Sequence, residues 1–265
     1  MKVSHESPLC MLEESRNYND YDYALVHLFE ENKEYYEFFV KSLKMNREVM
    51  LDNSIFELGD SFDKDKYLYW INKLQPTYYI IPDVFDDAEK TMNNVDEWMT
   101  KYQPKIKCDS KKICVTQGAT YYDAVDCYEF IKKYADRIAI PFECKFYTQD
   151  VNDDDKAYKL LRRMSGRQQF IYRLDSNGIL DHNKEHHLLG CALPQEFRVY
   201  KNIDCITSCD TSNPVVHGML GYKYSSDGLY IKENAKLCDL LNAKIDITQY
   251  SNILYNINMF KQFVK

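Results

Sequence analysis

The chain has 265 residues, a formal net charge of −7, 45% hydrophobic and 28% charged residues, an ordinary globular mixture for one large domain or two small ones. The acidic balance argues against a protein that coats nucleic acid nonspecifically, because phosphate contacts need Lys and Arg. No apolar run of roughly 18 residues occurs, and "VSHESPLC" after Met1-Lys2 has no signal-peptide h-region. A soluble, cytoplasmic protein without a membrane span is expected.

In chain order, "YALVHLF" (23–29) reads as a strand, and "NKEYYEFFVKSLK" follows with helical spacing, Tyr35, Phe38, Phe39 and Leu43 sharing one face. "REVMLDNS" is the next strand and "DKDKYLYWINKLQ" the next helix, closed by Pro76. "TYYIIPDV" is a strand, and "DAEKTMNNVDEWMTKYQ" a helix closed by Pro104. "KKICVTQG" and "DRIAIPF" are strands on either side of the helix "ATYYDAVDCYEFIKKYA". "DDDKAYKLLRRMS" is a helix with Asp153, Asp154 and Asp155 near its start, where negative charge suits the dipole. "HHLLGCA" and "DCITSCD" are short strands, "GLYIKE" is a candidate to complete the set, and the chain from Asn252 reads as helical.

Strands alternating with helices imply parallel pairing through right-handed crossovers. Seven or eight such units predict an α/β fold, a (β/α)8 TIM-like barrel forming a single domain over residues 1–265, with an open doubly wound sheet as the alternative. Neither GxGxxG nor GxxxxGK[ST] occurs, which weighs against nucleotide-cofactor folds.

In a parallel barrel the active site lies at the C-terminal ends of the strands. The predicted strands end on Asp52-Asn53-Ser54, Pro82-Asp83, Gln117-Gly118, Pro141-Phe142-Glu143, Gly190-Cys191 and Asp210-Thr211-Ser212. Each acid alone has an ordinary explanation, since Asp, Asn and Ser cap helices and form turns. Three acids at three strand ends read differently, because like charges gathered in one cleft repel and raise one another's pKa, a cost that a function must offset.

Other constellations are weaker. His182, His186, His187 and Cys191 could ligate a metal, but no acid or Cys pair stands at ligand spacing, and no metal is expected. A Cys nucleophile with His217 as base lacks further support, and Glu143 is either an acid of the site or a surface residue. Nine irregularly spaced cysteines without a CxxC read as free, mostly buried thiols. Basic clusters at Lys105, Lys107, Lys111 and Lys112, at Lys132 and Lys133, and at Arg162, Arg163 and Arg167 are either solvated surface or local phosphate contacts. The 23 tyrosines suit both cores and polar clefts.

The order of these strand ends resembles the tRNA-guanine transglycosylase superfamily. "LDNSIFELG" is similar to its Asp-Ser-Gly-Gly type motif, "IIPDVFDD" to the strand carrying its base-recognising Asp, and "CVTQG" to its Gln-Gly signature. "HHLLGCALPQEF" is similar to its Leu-Met-Gly-Val-Gly type run, and "NIDCITSCDTSNP" to the strand of its nucleophilic Asp. The likeness covers about residues 24–214. The CxCxxC zinc motif of the tRNA-modifying members has no counterpart, since only Cys238 follows Asp210. Ser54-Ile55 stands where that family has Gly-Gly, and "IAIPFE" replaces its Gly-Gly-Leu-Ala-Val-Gly-Glu type run. The pattern looks most like the compact DpdA-type DNA-guanine transglycosylases of phages.

The resemblance implies an enzyme, a pentosyltransferase that exchanges guanine in DNA for a 7-deazaguanine and uses no cofactor. Asp210 would attack the sugar C1′ and hold a covalent glycosyl intermediate, as in retaining glycosidases. Asp52 would move the proton of the leaving and entering bases. Asp83 would accept from the guanine N1–H and N2–H₂ edge, Gln117 and the Gly118 backbone would serve O6 or N7, a tyrosine or Phe142 would stack on the base, and Gly190 would complete the pocket. The base must leave its stack, so flipping or a single-stranded substrate is implied. A zinc-free enzyme acting on tRNA, and a non-catalytic paralogue that binds nucleic acid or a partner protein, are the alternatives.

Overall fold

The computed structural model describes residues 1–149, 155–232 and 235–265. Its eight strands are β1 (Lys2–Ser4), β2 (Asp22–Leu25), β3 (Val49–Asp52), β4 (Tyr78–Ile80), β5 (Lys111–Val115), β6 (Arg137–Pro141), β7 (Glu185–Leu189) and β8 (Ile206–Asp210). The helices are α1 (Leu12–Ser15), α2 (Leu28–Glu31), α3 (Lys33–Lys44), α4 (Ile55–Leu58), α5 (Lys64–Leu74) and α6 (Ala88–Glu97), then α7 (Tyr121–Ile131), α8 (Lys156–Ser176), α9 (Asn213–Met219), α10 (Leu237–Leu240) and α11 (Ile247–Val264). A 3-10 segment, Pro194–Asn202, leads from β7 toward β8.

The strands lie in the order β1-β8-β7-β6-β5-β4-β3-β2. The order never reverses, whereas a doubly wound sheet turns back at a switch point. The first strand pairs in parallel with the last, Ser4 opposite Asp210 and Lys2 opposite Ser208. The fold is therefore a (β/α)8, TIM-like barrel.

β1 is a strand that the hydrophobic pattern does not announce, because three residues are too few to display a period. "GLYIKE" is not a strand over its described residues (Glu233 lies outside them). Leu229 spends its backbone on a side chain, donating to Gln195 Oε1 at 3.0 Å and accepting from Gln195 Nε2 at 2.6 Å. Tyr230 and Ile231 are 60% and 70% exposed, where a barrel strand would bury at least one of them. The first expected strand is shorter than its apolar run: β2 stops at Leu25, and Leu28 and Phe29 belong to α2.

The helices follow amphipathic spacing. α3 buries Tyr35, Phe38, Phe39 and Ser42, the i, i+3, i+4, i+7 stripe of one face. Side-chain caps come from Asn32, Asp63, Asp87, Thr120, Asp155 and Asp246. Asp153 and Asp154 lie outside the described residues. α11 begins at Ile247, five residues before the expected start, where Asp246 and Gln249 form a capping box.

Two compact units divide the chain. One comprises residues 21–140 and 184–186, the other residues 1–20, 141–183 and 187–265. Phe29, Tyr35, Phe39 and Trp70 pack as an aromatic cluster in the first. In the second, Val215, Val216 and Met219 of α9 pack on Ile253 and Ile257 of α11, with Met11 and Tyr18. All nine cysteines are free thiols and six are buried, as expected. No helix of the described residues is long and apolar enough to cross a membrane.

Candidate active site

In the first unit, three neighbouring strand ends supply polar side chains. Asp52 is the last residue of β3, Asp83 follows β4, and Gln117 follows β5. Asp83 is buried and held by two carboxamides: Asn53 Nδ2 donates to Oδ1 at 2.8 Å and Gln117 Nε2 donates to Oδ2 at 2.7 Å. Burial raises its pKa, and these two hydrogen bonds oppose the rise. Gln117 is oriented in turn, its Oε1 accepting from the Asp86 N–H at 3.2 Å. Asn53 is a member of the network that the Asp reading passed over, and it also donates to Ile81 O at 3.3 Å.

Asp52 holds a turn and meets a tyrosine. Its Oδ1 accepts from the Ser54 N–H and its Oδ2 from the Tyr23 hydroxyl. Ser54 has φ +61°, the left-handed region that costs a non-glycine residue about 1–2 kcal/mol. The Asx-type bond to Asp52 helps to hold it there. Tyr23 went unnoticed because it reads as an ordinary strand tyrosine. Only the β2–β3 register, Leu25 opposite Asp52, brings the two strands into reach. Gly118 has a packing role: a Cβ there would stand 2.5 Å from Ala124 N of α7, so helix α7 accounts for the glycine.

In the second unit, Asp210 ends β8 and is buried. His187 Nε2 lies 2.9 Å from its Oδ1, and the Gly190 N–H donates to the same oxygen at 3.2 Å. His187 Nδ1 is 2.9 Å from Ser208 Oγ, so both ring nitrogens are engaged. An imidazole that donates from Nε2 to the carboxylate accepts from Ser208 at Nδ1. No described residue gives Oδ2 of Asp210 a hydrogen bond; both of its contacts fall on Oδ1. One oxygen is anchored and the other is unengaged, a carboxylate set to accept a further partner.

The turn after β7 is fixed from behind. Arg167 of α8 donates to Leu189 O at 2.9 Å and Gly190 O at 3.1 Å. Its guanidinium pairs with Glu196 at 2.5 Å, both side chains 0% exposed, and Tyr200 Oη donates to Glu196 at 2.6 Å. The pair and its hydrogen bonds offset the cost of burying two charges. Gly190 has φ +63°, and a Cβ there would run into the Phe142 ring. Phe142 is half-buried against that glycine, and Lys232 Nζ stands 4.6 Å from its ring centroid.

The remaining candidates separate. His186 stacks on Tyr128 and its Nε2 lies 2.8 Å from Tyr128 Oη, while His182 pairs with Asp175 at 2.7 Å, so these histidines have protein partners. Burial pushes the Cys205 thiol up to about 11 and Cys191 and Cys209 higher still, and His217 Nδ1 engages Asn213 O. No thiolate is favoured there. Glu143 pairs with Arg163, Lys112 with Asp136 and Lys132 with Glu129. Comparison with protein-family models and with curated proteins finds no match.

Proposed function

We propose that this protein is a DNA-guanine transglycosylase, exchanging guanine in DNA for a 7-deazaguanine base through an aspartyl-glycosyl intermediate. The observation that carries the reading is Asp210 at the end of β8: Oδ1 is held by His187 and the Gly190 N–H, and no described residue gives Oδ2 a hydrogen bond. A carboxylate nucleophile needs this asymmetry, because it must be aimed without being used up. The likeness of strand-end motifs to the tRNA-guanine transglycosylase superfamily supplies the substrate class. We place it with the phage DpdA-type branch on the likeness of its motifs, and Ser54 takes a left-handed φ where the tRNA enzymes have glycine.

In this mechanism Asp210 Oδ2 attacks C1′ and the bond to guanine N9 breaks, its electron pair leaving with the base. Asp52, steadied by the Tyr23 hydroxyl, gives the departing base its proton and later takes one from the entering 7-deazaguanine. Asp83 meets the donor edge of guanine: each oxygen accepts one amide hydrogen bond and keeps a lone pair for N1–H or N2–H₂. Gln117 keeps a second N–H beyond the one given to Asp83. The second displacement restores the sugar configuration.

The test is release of labelled guanine from DNA, and separately from tRNA, in the presence of a 7-deazaguanine. Release from DNA that Asp210→Ala abolishes supports the proposal. Release from tRNA alone would replace DNA by tRNA as the substrate, and binding without release would make the chain a non-catalytic binding protein.

A further inference from the structure

Ser208, His187 and Asp210 form a continuous hydrogen-bonded chain, with Ser208 Oγ 2.9 Å from His187 Nδ1 and His187 Nε2 2.9 Å from Asp210 Oδ1. The residue types are those of a hydrolytic triad, but the direction is reversed. In that triad the hydroxyl meets the substrate and the carboxylate backs the ring. Here Asp210 is the last residue of β8, and Ser208 lies two residues earlier on the same face of the strand. Ser208 and His187 are 0% exposed, whereas Asp210 is 4% exposed. The hydroxyl is therefore the inner end of the chain and the carboxylate the outer end. Its depth argues against Ser208 as a nucleophile and leaves it one task, on the His187 ring.

An ionised carboxylate only accepts, so Nε2 of His187 carries the ring proton. In a neutral ring Nδ1 is then an acceptor, and the Ser208 hydroxyl is the donor that meets it. Without that hydroxyl a buried acceptor is left unsatisfied and the ring loses its inner anchor. The Nε2–H and the Gly190 N–H converge on Oδ1, the oxygen that forms no bond to the sugar in the proposed mechanism. Their value differs between the two displacements. In the first, the carboxylate charge is consumed as Oδ2 bonds to C1′. In the second, N9 of the entering base bonds to C1′ and the C1′–Oδ2 bond breaks. Its electron pair returns to the carboxylate, and the N9 proton goes to Asp52. Donors on Oδ1 favour the state in which that charge is restored.

We propose that Ser208 is a positioning residue for Asp210, holding His187 in the tautomer and plane that keep Nε2–H on Oδ1 and so speeding the breakdown of the glycosyl intermediate. This role rests on the reading of Asp210 as the nucleophile. It assigns Ser208 to the second displacement more than to the first, because only the second returns charge to the carboxylate.

Two measurements on the full-length protein test this. The first is the ring ¹⁵N spectrum of histidine-labelled protein without substrate, with His187 assigned by the signals that His187→Gln removes. Nε2 should carry the proton, and the Nδ1 signal should move toward that of a bare ring nitrogen in Ser208→Ala. The second is exchange on guanine-containing DNA with a 7-deazaguanine, together with the DNA–protein adduct that survives denaturation. Ser208→Ala should lower exchange about tenfold and raise the adduct, whereas a merely structural loss would lower both. Ser208→Thr keeps the hydroxyl and should restore both toward wild type. A proton on Nδ1 in the wild type, a Nδ1 signal that Ser208→Ala leaves in place, or adduct that falls in step with exchange would overturn the role of Ser208 while the exchange reaction stands. Wild-type protein that exchanges no guanine would overturn both.

Discussion

Asp83 and Asp210 both end strands of one barrel, yet the chain treats them in opposite ways. Asp83 is held symmetrically, one carboxamide on each oxygen, both donors neutral. Asp210 is held on one side only, by an imidazole and a backbone N–H, in a turn that a buried Arg–Glu pair keeps in place. Symmetric support fixes a carboxylate as an acceptor of known orientation, which suits recognition. One-sided support leaves an oxygen free to react. Residue type alone cannot separate the two; the distribution of donors over the two oxygens does.

The sharpest way to break this contrast is Asp210→Asn. It keeps the shape and removes the proposed nucleophile, so the proposed guanine exchange should fall by about 10⁴-fold or more while the urea midpoint moves little. Comparable residual exchange would move the nucleophile elsewhere. Arg167→Met tests the support behind Asp210: it strands Glu196 as a buried unpaired charge and should cost about 3–5 kcal/mol in urea unfolding. Replacing Arg167 and Glu196 together by Met and Leu should recover much of that stability without recovering exchange, because the Leu189 and Gly190 carbonyls still lose their donors.

A smaller effect is expected from His187→Gln. Oδ1 of Asp210 loses its imidazole contact while the Gly190 N–H remains, and exchange should drop about 10²-fold through misplacement of the carboxylate. An unchanged rate would show that the backbone alone aims Asp210. The mildest test falls on the other carboxylate. Asp83→Asn turns one acceptor oxygen into an amide facing a donor and should cost about 1–3 kcal/mol. The raised pKa of Asp83 also fixes the sign of its pH dependence. The folded state holds this proton more tightly than the unfolded one, so its stabilising contribution is complete below the ordinary carboxylate range. It is lost as pH rises through the raised value. Unfolding measured across that window should show the penalty of Asp83→Asn shrinking toward higher pH.

Much of the fold was legible in the chain. Alternating runs such as "REVMLDNS" and "DKDKYLYWINKLQ" carried their periods and caps into β3 and α5 nearly unchanged. β1 was not legible, because its pairing with β8 is a contact between the two ends of the sequence and its three residues show no pattern. "GLYIKE" misled because strand propensity measures fit to a pleated, half-buried surface, and the side chain of Gln195 claims the Leu229 backbone instead. The donors show which acids cap helices and which do not. Asn32, Asp63, Asp87, Thr120, Asp155 and Asp246 cap the helices, whereas Asp83 and Asp210 accept from groups outside them.

By itself the sequence determined the alternation of strands and helices, the helix caps and the placement of Asp52, Asp83 and Asp210 at strand ends. These depend on local periodicity and on residue chemistry within a few positions. Only the tertiary structure decided that Tyr23 meets Asp52, that Asn53 and Gln117 share Asp83, that His187 meets Asp210, and that Gly118 answers to Ala124. Each of these joins residues whose separation in the chain carries no signal, because strand register and helix packing set which side chains meet.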